Sequence, residues 1–291
     1  MTGRVIGIIG GSGLYRIDGL VDVEWRRVES PFGRTSDEFC FGTLGDQPVV
    51  FLPRHGRGHV LPPSAIPFRA NIDALKRCGV TDIISLSAVG SLREDLAPGD
   101  FVVIDQFVDR TFARDKSFFG AGCVAHVSMA RPVCGRIGDA VVEAGAASGI
   151  ALKRGGAYIV MEGPQFSTLA ESELYRTWGC DVIGMTNMPE AKLAREAEIC
   201  YATVAMVTDY DCWHPGHDDV TVDMILSVLD ANAERARALV KAAVPLLAGH
   251  AGPCRQGCDH ALQNALITAP EHRDPDLLAR LDAVAGRVLK Q

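Results

Sequence analysis

The sequence predicts an α/β fold, a central mixed β-sheet flanked by helices with a C-terminal helical arm. Three observations carry this. Short apolar, β-branched runs recur along the 291 residues, and amphipathic helical patterns lie between several of them. An apolar share of 47% against 22% charged residues is enough for a sizeable core.

Val5 to Ile9 reads as a buried strand that runs into the tight loop Gly10-Gly11-Ser12-Gly13. Further strands are expected at Pro48 to Leu52, Thr81 to Leu86, Phe101 to Ile104, Ala157 to Val160, Asp181 to Ile183 and Tyr201 to Val207. Helical spacing covers Ile66 to Cys78, ending at Gly79, then Leu169 to Trp178, ending at Gly179, and Pro189 to Ala197. A long amphipathic helix follows Thr221, its expected N-cap, with Val222, Ile225, Val228, Leu229 and Ala233 on one face. It closes a main domain over residues 1–248. Residues 249–291 read as a connector and helical arm, spaced by Leu262, Leu266, Leu277, Leu278, Leu281 and Val284. An arm of this size cannot fold alone, so it is expected to pack on its own body or a neighbouring subunit.

A formal charge of −7 argues against a broad electrostatic grip on nucleic acid or an anionic membrane. No stretch offers the ~20 apolar residues of a membrane span, and no signal-peptide pattern is seen, so a cytoplasmic location is expected. The nine cysteines are odd in number and scattered, which reads as reduced, buried thiols. No set has zinc-ligand spacing, and no metal site is expected. Cys254 and Cys258 in CRQGC stand apart as candidates for a local disulfide.

The chemistry-bearing segments cluster after the strands. Glycines at 10, 11 and 13 let backbone N–H groups turn toward an anion, and Ser12 adds a hydroxyl. Arg54 and His55 in RHGRGH follow the second strand; a guanidinium can grip two phosphate oxygens and an imidazole can donate to a third. Ser87-Ala88-Val89-Gly90-Ser91 is small enough for a ligand to reach the backbone. Phe166 in MEGPQFST offers an aromatic face and Met185 in GMTNMPE a flexible apolar one, while Glu162 and Glu190 need buried partners. Asp209 and Asp211 close the last strand, with both side chains expected on one face. Two carboxyls held close raise at least one pKa, which suits an acid that works near neutrality. Taken singly, each segment also reads as a turn, a cap or core.

In order, IGIIGGSGLY, RHGRGH, SAVGSLREDLAPGDFVVIDQFVDRT, MEGPQFST, MTNMPEAKLA and VTDYDCW resemble the methylthioadenosine phosphorylases, from about residue 5 to about residue 247. The resemblance implies a single-domain nucleoside phosphorylase fold. It also implies a phosphate site of Ser12, Arg54, His55, Ser87, the Ala88 amide and Thr186. Met185 would lie under the ribose, Phe166 would stack on the purine, and Asp209 and Asp211 would meet its edge. His126, Val220 and Val222 would border the 5′-methylthio group. Trimers or dimers of trimers are implied, in which His126 and the arm reach a neighbouring site. Inorganic phosphate would be co-substrate, with no metal or organic cofactor, and Asp209 would supply a proton to purine N7.

Ser12 and Ser87 stand where many relatives carry Thr, which keeps the hydroxyl. Asn187 is expected beside the base and ribose, which leaves room for a 6-oxopurine nucleoside phosphorylase. Asp209 argues against that, because a carboxylate accepts from a 6-amino group and opposes a 6-oxo group. Outside the class, the alternative is a nucleoside or phosphate sensor without turnover. An NAD-dependent oxidoreductase is disfavoured, since GGSG lacks the third spaced glycine.

Overall fold

The computed structural model describes residues 4–11, 14, 16–216, 222–250 and 252–290, with the backbone alone for 222–227. Its strands are β1 (Val5–Gly10), β2 (Leu20–Arg26), β3 (Phe39–Leu44), β4 (Gln47–Pro53), β5 (Val80–Ser91) and β6 (Phe101–Val103). They continue with β7 (Gln106–Asp109), β8 (Leu152–Arg154), β9 (Ala157–Val160), β10 (Val182–Gly184) and β11 (Cys200–Asp209). The helices are α1 (Phe68–Arg77), α2 (Gly135–Ala147), α3 (Leu169–Thr177), α4 (Asn187–Glu196), α5 (Val222–Ala248), α6 (Pro275–Arg280) and α7 (Gly286–Leu289).

All eleven strands join one mixed sheet along the path β2-β3-β4-β1-β5-β10-β9-β7, and β11 pairs with both β5 and β6. Its two faces are read by period-two alternation. Ile6, Ile8, Cys200, Ala202, Val204 and Met206 pack in one core with Ile137 and Val141 of α2 and Leu239 and Val240 of α5. Ile9, Tyr201, Ala205 and Val207 face the other core, with Ile72 and Leu75 of α1 and Leu193 and Ala194 of α4.

Four strands and one helix were not read from the sequence. β2, with its exposed Asp22 and Glu24, is an amphipathic edge, and β8 is three residues long. α2 carries glycines at 135, 138 and 145 that lower its helical signal. Two of them serve close packing: a methyl group on Gly138 would sit 2.3 Å from Arg154, and one on Gly145 1.8 Å from Leu152. The arm packs on its own body, burying Leu262, Leu281 and Val284 in the core. The spacing around Leu262 and Leu266 forms turns rather than a helix, and Leu266 bridges to Ala125 instead. Among the described residues no helix is long and apolar enough to cross a membrane.

At the end of α4, Glu196 is buried and accepts from Ser117 Oγ and the Phe118 amide, each at 2.7 Å. Burial pushes its pKa up to about 7. The folded chain therefore holds a proton that the unfolded chain releases above its ordinary value of 4.5. This contribution is fully present below that value and is lost as pH rises through about 7. Thermal melts across this window should show the wild type losing on the order of 3 kcal/mol more than Glu196→Gln.

Candidate active site

The carboxyl ends of β1, β4, β5 and β11 meet at one edge of the sheet. β1 runs parallel to β4, with Gly10 opposite Pro53, and the Arg54 amide donates to the Gly10 carbonyl at 3.0 Å. Arg54 thus stands beside the glycine loop; Ser12 itself lies outside the described residues. β5 pairs with β1 as far as Ser85, and with β10 at Gly90 and Ser91. Between these two partners, residues 86–89 border a split in the sheet. The Leu86 carbonyl accepts from Arg54 Nη1 at 3.3 Å across the split, and strand alternation turns the Ala88 amide the same way. Antiparallel to β5, β10 delivers Thr186 to this place: Ser87 Oγ and Thr186 Oγ1 are 2.9 Å apart. Tyr158, not noticed in the sequence, supports Ser87 Oγ from below at 3.1 Å. Hydroxyls and an amide that converge at strand ends can bind an anion without a net positive charge.

Arg54 is almost fully buried and its fork is filled from inside the protein. Nε and Nη2 donate to Glu190 at 2.7 and 3.0 Å, and Nη2 also donates to Ser85 Oγ at 2.6 Å. A buried guanidinium needs such a counter-charge. The two-oxygen grip on phosphate read from the sequence is therefore taken by Glu190, and Nη1 is the nitrogen left nearest the split. Asn187 joins this buried network, donating to Tyr201 at 2.5 Å and Thr203 at 2.7 Å. Its side chain is fully buried in that network and exposes no atom to a ligand.

His55 also differs from expectation. Its Nδ1 lies 2.8 Å from the Leu61 carbonyl, which can only accept, so Nδ1 carries the proton. Burial lowers its pKa to about 4 against the pull of that carbonyl. At neutral pH, Nε2 is then an acceptor, suited to a protonated phosphate oxygen.

At the far side of the split stand Asp209 and Asp211, both buried. The strand ends at Asp209, and the chain turns so that the Asp211 amide donates to Asp209 Oδ1 at 2.8 Å. A turn with Asp211 at φ 54° brings the carboxylates together, rather than strand alternation. Both sit over Gly90, where a methyl group would fall 2.9 Å from Asp209 Oδ1. Burial, reinforced by the Asp211 charge, raises the Asp209 pKa, while Thr208 Oγ1 at 2.7 Å and the Asp211 amide oppose it. Ser167 holds Asp211 by 2.8 and 2.9 Å bonds, and the neighbouring Phe166 is 44% exposed, free to present its ring to a ligand.

The family model described as the phosphorylase superfamily matches residues 5–245. The chain belongs to that family. It is 63% identical over 286 residues to S-methyl-5′-thioadenosine phosphorylase of Cereibacter sphaeroides, covering 98% of this chain and 99% of that one. The enzyme of the same name from Bradyrhizobium diazoefficiens is 61% identical, with both chains covered throughout. A crystal structure of a methylthioadenosine phosphorylase from an antarctic soil metagenomic library superposes with a TM-score of 0.92 at 47% identity, covering 98% of this chain and 99% of that one.

In this phosphorylase, Arg114 ties the loop that carries Glu162 to the one that carries Met185, and no sequence signal marked it. Its Nη1 donates to the Met185 and Met188 carbonyls at 2.7 and 2.6 Å, and Nη2 to the Glu162 carbonyl at 2.6 Å. Glu162 answers the question of its partners by accepting from the Phe112 amide at 2.6 Å and pairing with Arg114. Met185 is half-buried and packs on Gly163, where a methyl group would meet its sulfur at 2.5 Å. His126 is exposed, its amide bonded to the Ala265 carbonyl of the arm at 2.8 Å. Val220 lies outside the described residues; Val222 starts α5, and its side chain is likewise not described.

Proposed function

We propose that this chain cleaves S-methyl-5′-thioadenosine with inorganic phosphate, giving adenine and 5-methylthioribose 1-phosphate. The observation that carries the reading is the buried Asp209–Asp211 pair, set across the split in the sheet from the Ser87–Thr186 hydroxyls. One end suits a purine and the other an anion. The relatives named above support the substrate.

Phosphate is held by the Ser87 and Thr186 hydroxyls, the Ala88 amide, Arg54 Nη1 and the loop that contains Ser12. His55 Nε2 accepts from the phosphate hydroxyl, which keeps one oxygen oriented. Met185 and Phe166 enclose ribose and base, and His126, Val220 and Val222 border the methylthio group. As the C1′–N9 bond lengthens, positive charge builds on the ribose and negative charge on the purine. The anion beneath C1′ stabilises the first, and a proton from Asp209 to N7 stabilises the second. Phosphate oxygen then bonds C1′ and adenine leaves neutral. Inorganic phosphate is the co-substrate, and this chemistry calls for no organic cofactor or catalytic metal. The enzyme works as a cytoplasmic homo-oligomer, a trimer or a dimer of trimers, in which His126 and the arm of one subunit border the neighbouring site.

Incubation with methylthioadenosine, adenosine, inosine and methylthioinosine, with and without phosphate, tests base choice by chromatography of the free base. Adenine should be released fastest from methylthioadenosine and only with phosphate; faster hypoxanthine release would overturn the assigned substrate. Ser87→Ala removes one hydrogen bond to a charged ligand, about 1.5 to 3 kcal/mol, and should raise the phosphate KM roughly ten- to a hundredfold with kcat little changed.

A further inference from the structure

Four of the nine cysteines, scattered along the sequence, meet in space. Cys134, Cys200, Cys254 and Cys258 are all buried, and their four sulfurs lie within 4.8 Å of one another. They come from three remote places: the N-cap of α2, the first residue of β11, and the turn that leads from α5 into the arm. The Cys254–Cys258 pair noticed in the sequence is half of this set, and no spacing rule could join it to the other half. We propose that these four cysteines form a structural metal site that holds one zinc ion as a tetrahedral tetrathiolate.

The geometry fits a single ion. Zinc–sulfur bonds of about 2.3 Å in a tetrahedron place sulfurs about 3.8 Å apart. Cys134 Sγ and Cys254 Sγ are 3.7 Å apart, well beyond a disulfide bond, and all nine cysteines are free. Softness and tetrahedral sulfur geometry select zinc over harder cations.

The surroundings are built for negative charge. Arg136 projects toward the Cys200 sulfur, and apart from that thiol its buried Nε and Nη1 have no hydrogen-bond partner among the described residues. A neutral thiol is a weak acceptor, whereas a metal-bound thiolate is a strong one, and it would satisfy these donors. Cys134 sits at the positive end of α2, with the Ile137 amide turned toward its sulfur. A divalent cation lets all four thiols ionise. Binding releases four thiol protons to solvent and leaves a complex of charge −2, which Arg136 and the helix end partly balance.

The ion would staple the arm to the body. Beyond Cys258, the arm carries the Ala265 carbonyl that holds the His126 amide, and Ile267, whose amide donates to the Val124 carbonyl at 2.9 Å. The clip therefore fixes the strand of chain that contains His126 without touching the reacting atoms.

Elemental analysis of protein purified under reducing conditions without chelator should find stoichiometric zinc. Co²⁺ added to chelator-stripped protein should give the intense near-ultraviolet thiolate charge-transfer band and visible bands of tetrahedral cobalt. Cys254→Ser and Cys258→Ser should lose the metal, whereas Cys180→Ser, in a separate core cluster, should keep it. Zinc-free wild type that binds no cobalt, stoichiometric iron in place of zinc, or disulfides among these four residues would each overturn the proposal. The wild-type measurements decide even where a serine variant does not fold.

Discussion

Asp209→Asn should lower kcat for methylthioadenosine by about 10² to 10⁴, the usual range for loss of a positioned acid. The amide keeps the shape: its one oxygen can still accept from the Asp211 amide, which donates to Asp209 Oδ1 at 2.8 Å, and its NH2 can donate to Thr208 Oγ1, whose hydroxyl now donates to Oδ2 at 2.7 Å. What it loses is the transferable proton, so substrate affinity should change far less than turnover. The pH profile gives an independent readout. Burial and the neighbouring Asp211 raise the Asp209 pKa, so the acid form persists above the ordinary carboxyl range and is lost as pH rises through the raised value. The wild type should lose kcat on that alkaline limb, and Asp209→Asn should lack the limb. A purine analogue whose departure needs no proton should recover much of the rate in the variant.

Arg54→Ala should destabilise the fold by about 3 to 5 kcal/mol, because it leaves the Glu190 carboxylate buried and unpaired. The two side chains are each only 3% exposed, and their bond is 2.7 Å long. Replacement of both residues by leucine should recover most of the melting temperature, since a buried ion pair adds little over packed apolar groups. It should not recover phosphate binding, because the Nη1 donor at the split is gone. Thermal melts and phosphate titrations on the single and double variants separate the two roles. A double variant that regains phosphate affinity would show that Arg54 acts on the fold alone.

Strand positions were legible because buried runs such as Val5–Gly10 and Cys200–Asp209 pair in the middle of the sheet and read as continuous apolar sequence. Edge strands such as β2, and the glycine-bearing α2, depend on tertiary packing that no local pattern records. The same division runs through the site. Ser87, Thr186, Asp209 and Asp211 sit at the ends of legible strands, so both the residues and their convergence could be expected. Arg54 could be picked out but not its partner, since Glu190 approaches from a helix far along the chain. Tyr158 and Arg114 act from beneath, one from within a strand and one from a loop, and neither carries a motif. The four-cysteine cluster was hidden for the same reason: its members meet only when α2, β11 and the arm are packed.

The most direct test follows phosphorus and base together. Phosphorus NMR of inorganic phosphate with methylthioadenosine and catalytic enzyme should show a sugar 1-phosphate ester growing in step with free adenine. Adenine released with free methylthioribose and unchanged phosphate would mean hydrolysis, and would contradict the anion cradle at Ser87, Ala88 and Thr186.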